Sequence, residues 1–97
     1  MILVVGYCIL LSSKMNNIKW WNGVLSYTNG INYTASSTFG LTERPYSMTL
    51  TALSIVCFTQ ADWDNSSAAS IKSLCKGTTG NDITGNVRVA FIFIIKN

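Results

Sequence analysis

The sequence has no histidine and carries little charge. It contains four acidic and seven basic residues among its 97 residues. Histidine is the most common general base and a frequent metal ligand, so its absence removes the familiar Cys–His nucleophile and the usual metal sites. The segment "KGTTGND" also lacks the Gly-Lys-Ser/Thr ending of a phosphate-binding loop. We therefore expect no catalytic residue, no cofactor and no resident metal, and we predict that the chain is not an enzyme.

The small positive charge is not organised into a binding stripe. The net charge is +3, and the basic residues are scattered from Lys14 to Lys96. Proteins that bind nucleic acid cluster such residues on one surface, so we expect no nucleic-acid partner. The three cysteines, Cys8, Cys57 and Cys75, are widely spaced and odd in number. They predict neither a disulfide framework nor a zinc site, although two of them can pair.

The opening run "MILVVGYCILL" is apolar but short. A membrane-spanning helix needs about 20 apolar residues, and a secretory signal carries positive charge before its apolar core, whereas the first lysine here is Lys14. Its Ile, Val and Tyr content favours a buried strand, so we expect no membrane insertion. A secretory signal and a start codon placed too far upstream are the alternatives.

The rest of the chain is dominated by strand patterns and turn signals. Asn22-Gly23 and Asn29-Gly30 are both strong hairpin signals and predict a three-strand meander over residues 18–21, 24–28 and 31–34, although one pair can instead be a bulge. Residues 46–58 read as one strand that enters a two-sided core, with Val56 and Phe58 on its core face. The final run "NVRVAFIFIIKN" alternates and is apolar on both faces in its middle, which predicts a central strand.

The connections are polar and rich in turn residues. Residues 66–74 tolerate a short helical turn, and residues 76–86 form a turn region rich in glycine. Several strands separated by turns every 8 to 12 residues or so are typical of an all-β sandwich or barrel. We predict one domain, residues 1–97, with a compact antiparallel β-sandwich of jelly-roll-like or related Greek-key type.

Recognition is the function that remains once catalysis is set aside. Large aromatic rings on polar loops suit contact with sugars or protein epitopes. Trp20 and Trp21 must point to opposite sides of a strand, so at most one lies in the core. The segment "DWDN" could bind a cation, but a solvated turn is the interpretation we favour. The candidate receptor-binding residues are Trp63, Asp62, Asp64, Asn65 and Trp21.

Three passages resemble the C-terminal receptor-binding tips of viral fibres. "NNIKWWNGVLSY" is similar to the opening hairpin of phage tail-fibre end domains, "FGLTERPYSMTLTAL" to their turn, proline and strand segment, and "GNVRVAFIFIIKN" to their terminal strand. The small heads of adenovirus fibres also end on a hydrophobic strand. The resemblance implies a homotrimeric head at the virion surface that attaches the virion to a host-surface glycan or protein.

Two other classes remain open. A structural virion or surface-assembly subunit would share the low charge and the apolar end strand, but it would form open-ended assemblies. A secreted lectin-like or immunoglobulin-like adhesion domain is the third interpretation, for which the sequons at Asn32 and Asn65 and one disulfide would count.

Overall fold

The computed structural model describes residues 17–96, so the predicted strand at residues 1–11, including Cys8, lies outside the described residues. Within residues 17–96 the regular structure is all β-strand apart from two short 3-10 turns, Ser36–Phe39 and Trp63–Asn65. No helix in residues 17–96 is long and apolar enough to cross a membrane. The strands are β1 (Ile18–Tyr27), β2 (Ile31–Ala35), β3 (Ser47–Ala52), β4 (Cys57–Asp62), β5 (Ser70–Gly77) and β6 (Gly85–Ile94).

The six strands form two antiparallel sheets that pack face to face. Sheet A has the order β1-β6-β3, and sheet B has the order β2-β5-β4. Strands β3, β4 and β5 are consecutive neighbours, with β3 and β4 meeting where the two sheets adjoin, and β6 returns to lie beside β3. The spatial order β6-β3-β4-β5 is that of a Greek key. The predicted all-β antiparallel sandwich is therefore confirmed.

The final strand supplies the centre of the core, as its alternation predicts. On β6 the side chains of Val87, Val89, Phe91 and Phe93 are buried, and the strand is hydrogen-bonded on both sides. Phe39, from the first 3-10 turn, packs against both phenylalanines with ring centroids 5.2 Å away. Burial of these rings removes a large apolar area from water and so stabilises the domain.

A buried hydrogen bond joins the two sheets. The hydroxyl groups of Tyr27 on β1 and Ser73 on β5 lie 2.7 Å apart. Because both side chains are buried, each hydroxyl satisfies the other in a region closed to water. The bond fixes how sheet A lies over sheet B at this point.

The predicted meander is wrong at its first turn. Asn22-Gly23 lies inside β1, which runs unbroken for 10 residues and pairs along its whole length with β6. In the passage likened to an opening hairpin, residues 18–27 are therefore one strand. Only Asn29-Gly30 turns: both residues have positive φ, 51° and 79°, and Thr28 and Ile31 exchange two backbone hydrogen bonds. That geometry is a type I′ turn.

The predicted strand over residues 46–58 is also corrected. Met48, Leu50 and Ala52 face inward on β3 as expected, but the chain bends at residues 53–56 and crosses from sheet A to sheet B. The Leu53 N–H donates to the Arg88 carbonyl, and the Ser54 hydroxyl accepts from the Arg88 N–H, so the bend is fixed at β6. Val56 is consequently exposed.

The region assigned a possible helical turn holds a strand. Residues 70–77 form β5, the central strand of sheet B, and the 3-10 turn lies earlier, at Trp63–Asn65. The glycine-rich connection between β5 and β6 is a turn region as predicted: the Gly77 N–H donates to the Asn81 carbonyl, and the Gly80 N–H donates to the Gly77 carbonyl.

Candidate binding groove

The outer face of sheet B carries polar, charged and aromatic side chains in register. Phe58, Gln60 and Asp62 point outward from β4, while Leu74 and Lys76 point outward from β5. Gln60 lies opposite Leu74, and Phe58 lies opposite Lys76. Phe58 is 68% exposed, which is unusual for a phenylalanine in a strand.

One row of side chains across the three strands of this face is joined by an ion pair and a cation–π contact. Lys72 on β5 lies between Tyr33 on β2 and Asp62 on β4. The Lys72 Nζ is 3.2 Å from an Asp62 carboxylate oxygen and 5.6 Å from the centroid of the Tyr33 ring. A hydrogen bond from Asn65, assisted by Lys72, holds the pKa of Asp62 below its usual value. The carboxylate is therefore ionised and fixed in orientation at neutral pH.

Hydrogen bonds to Asp62 and to the neighbouring strand β5 fix the turn after β4. The Asn65 side-chain amide donates to Asp62 Oδ2 at 2.9 Å. The Ser66 hydroxyl donates to the Asp62 carbonyl at 2.7 Å and accepts from the Lys72 N–H at 3.0 Å. Asp64 is exposed at the tip of the turn. The turn is therefore held in one conformation by its hydrogen bonds, and the Asp64 carboxylate is exposed to solvent.

Trp63 is fixed on two sides. Its indole N–H donates to the Pro45 carbonyl at 2.7 Å, and the Arg44 guanidinium lies 3.5 Å from the ring centroid. Arg44 covers one face of the ring by a cation–π contact, which leaves the side chain 37% exposed. Trp63 therefore joins the loop before β3 to the turn after β4, and its ring is held in one orientation.

Two adjoining depressions run along this face and share Gln60 and Leu74. Their volumes are about 170 and 310 Å³. We refer to them together as the β4–β5 groove. It is lined by Phe58, Thr59, Gln60, Ala61, Asp62, Trp63, Asp64, Leu74 and Lys76.

Four of the five residues predicted from the sequence lie together at one end of this groove. Asp62, Trp63 and Asp64 line it, and Asn65 fixes Asp62. Trp21 does not join them, because it points inward from β1 and packs edge-on against Phe39 at 4.8 Å between ring centroids. Its neighbour Trp20 is the accessible ring, at 73% exposure.

Sequence reasoning missed the other end of the groove. Phe58 was expected in the core, whereas its neighbour Cys57 faces inward. Alternation along β4 alone groups Phe58, Gln60 and Asp62 on one face. A single alternation over residues 46–58 hides that signal, because the inward positions change at the bend between β3 and β4.

A second exposed surface lies on the outer face of sheet A. Trp20 on β1 is paired with Ile92 on β6, and Ile18 is paired with Ile94. Val24 is 48% exposed on the same side of β1. Arg88 is the one charged residue among the outward positions of β1, β6 and β3. We call this surface the β1–β6 face.

Within residues 17–96 no three His, Cys, Asp or Glu side chains come close enough to hold a metal ion. In particular, Asp62 is paired with Lys72. Comparison with protein-family models, curated proteins and solved structures gives no match.

Proposed function

We propose that this protein is a binding module that acts as the receptor-binding head of a phage or viral fibre and attaches the virion to a host-surface glycan or protein. The observation that carries the proposal is the β4–β5 groove. Aromatic side chains stand at both of its ends, Phe58 and Trp63, and polar groups line the length between them. Sugar-binding sites combine ring faces or edges with fixed hydrogen-bonding groups in this way.

The ligand class follows from the groups that line the groove. Gln60 offers both a donor and an acceptor, Asp62 offers carboxylate acceptors, and Lys76 offers donors. Neutral hydroxyl groups satisfy donors and acceptors alike, so a neutral oligosaccharide fits the groove better than a strongly charged ligand. A host-surface glycan is therefore the first ligand to test.

We propose further that the head is a homotrimer and that copies meet through the β1–β6 face. Depletion of charge and enrichment in tryptophan and other large apolar side chains are typical of interface centres. The β1–β6 face has this composition, whereas the β4–β5 groove carries both signs of charge. Assembly through the first surface leaves the second open to a receptor.

The groove is tested by binding of the purified protein to a glycan panel and to host cells. Phe58→Ala and Gln60→Ala change exposed side chains, so we expect them to fold normally and to weaken attachment at least tenfold. Tyr46→Ala is the matched control, because Tyr46 is a similarly exposed aromatic residue (64%) that does not line the groove.

The same experiment separates the rival classes. Loss of binding in the groove variants but not in Tyr46→Ala supports the proposal. Undiminished attachment in both groove variants would contradict it. Absence of any attachment, together with polymers that grow with concentration, would favour a structural assembly subunit.

A further inference from the structure

Two thiols face each other on the inner side of sheet B. Cys57 on β4 lies opposite Gly77, and Cys75 on β5 lies opposite Thr59, so the cysteines are diagonal neighbours across adjacent antiparallel strands. Their sulfur atoms are 3.3 Å apart. Because a disulfide bond is about 2.05 Å long, roughly 1.3 Å of approach would join them.

We propose that Cys57 and Cys75 form an intramolecular disulfide when the protein meets a small-molecule disulfide such as oxidised glutathione. The bond would join β4 to β5 directly behind the β4–β5 groove. This inference rests on the thiol geometry and does not depend on the proposed function. It assigns the pairing that the sequence left open.

The exposure of the two thiols sets the order of the steps. Cys75 is fully buried, whereas Cys57 is half-buried. Burial and the adjacent Cys57 raise the pKa of Cys75 to about 12, so its reactive thiolate is scarce at neutral pH. Cys57 is therefore the thiol that meets the oxidant.

The chemistry balances in two exchanges. The Cys57 thiolate attacks one sulfur of oxidised glutathione, which forms a mixed disulfide and releases one reduced glutathione. The Cys75 thiolate then attacks the Cys57 sulfur, which closes the protein disulfide and releases the second glutathione. Two protein thiols are oxidised, and their two electrons and two protons end on the two glutathione molecules.

The test is peptide mapping of the folded wild-type protein after incubation with oxidised glutathione. The three cysteines fall in three different tryptic peptides, because Lys14 lies between Cys8 and Cys57 and Lys72 lies between Cys57 and Cys75. We expect the peptide of residues 73–76 to be linked to the peptide that contains Cys57. We also expect Tm to rise by roughly 10 °C and to fall back on reduction.

Matched serine variants identify the pair. Cys8→Ser should keep both the link and the Tm rise, whereas Cys57→Ser and Cys75→Ser should lose both. If burial makes Cys75→Ser fold poorly, the half-buried Cys57→Ser carries the comparison. A link through Cys8, a Cys57–glutathione adduct that never closes, or thiols that stay free would each overturn the proposal.

Discussion

At the scale of single residues, Gly23 shows why one Asn-Gly pair does not turn. A Cβ atom at Gly23 would lie 2.5 Å from two ring carbons of Trp21, so the indole occupies the space above the glycine on the inner face of β1. The indole also packs against Phe39, with the two ring planes nearly perpendicular. Glycine here makes room for a tryptophan, and its conformational freedom is not used.

Replacing this glycine should therefore destabilise the fold. Gly23→Ala should lower the free energy of unfolding by about 1–3 kcal/mol, because the indole must move against Phe39. Denaturation in urea measures the change. In a Trp21→Ala background the same substitution should be neutral or stabilising, because the clash is gone and alanine is less flexible than glycine. Equal losses in both backgrounds would contradict the account.

The buried Cys75 thiol should make stability depend on pH in alkali. Burial raises its pKa from an ordinary 9.0 to about 12, and burial also raises the pKa of Tyr27. Because the pKa of Cys75 is higher in the folded state than in the unfolded state, the contribution of this thiol to the free energy of unfolding is complete below pH 9. That contribution is lost as pH rises toward 12. Under reducing conditions, the free energy of unfolding should fall in this window.

A variant isolates the contribution of the thiol. Cys75→Ala should decline less steeply than the wild type between pH 9 and 12, by up to about 1.4 kcal/mol per pH unit. Urea denaturation at a series of pH values gives both curves. Parallel curves would show that the thiol does not carry the effect.

At the scale of elements, the Asn29-Gly30 turn sets the path from sheet A to sheet B. Gly30 has φ of 79°, and a Cβ there would lie 2.9 Å from an Asp82 carboxylate oxygen and 3.1 Å from the Cys75 carbonyl oxygen. Gly80 has a similar φ of 85° with nothing within 4 Å. Both glycines have a positive φ, but a side chain would be crowded by neighbouring atoms only at Gly30.

This contrast gives a matched pair of variants. Gly80→Ala should cost about 1 kcal/mol of stability, which is the penalty of left-handed backbone for alanine. Gly30→Ala should cost more, because the added methyl also crowds Asp82 and the Cys75 carbonyl. Urea denaturation of both variants measures the difference. Equal losses of stability in the two variants would show that the atoms around Gly30 move aside at no energetic cost.

Local patterns predicted the elements whose environment is uniform along their length. The alternation of β6 identified its buried face because the strand lies between β1 and β3 from Val89 to Phe93, and its inward side chains are buried throughout. The strand boundary at residues 53–56 was missed because the bend contains no glycine or proline and is fixed by hydrogen bonds to Arg88, a residue distant in sequence. The position of this bend is therefore set by pairing with a distant strand and cannot be read from the local sequence.

The candidate site was predictable to a similar extent. The "DWDN" turn was found because its residue types stand out on a polar connection. Alternation shows only that Trp20 and Trp21 point to opposite sides of β1. Which of the two is buried depends on which side of β1 meets sheet B. The approach of Cys57 to Cys75 depends on the register of β4 with β5, which no spacing in the sequence encodes.

At the scale of the whole molecule, the sandwich presents two outer faces of different chemistry. The β1–β6 face combines Trp20, Val24 and Ile92 with little charge, and the β4–β5 groove lies on the opposite sheet. A trimer built on the first face would display three grooves facing outward. Each binding event would then raise the effective concentration for the next, so weak single sites would suffice for attachment.

Sedimentation across a dilution series tests this arrangement. The wild-type protein should sediment as a discrete trimer that persists on dilution. Trp20→Lys should shift it to monomer, because a lysine ammonium group cannot be buried unpaired between apolar faces. Trp20 is 73% exposed, so each monomer should remain folded. Tyr46→Lys, at an exposed ring outside the β1–β6 face, should remain trimeric. A wild-type monomer at every concentration would rule out the fibre-head assembly and favour a monomeric adhesion domain. A trimer unaffected by Trp20→Lys would place the interface elsewhere on the sandwich.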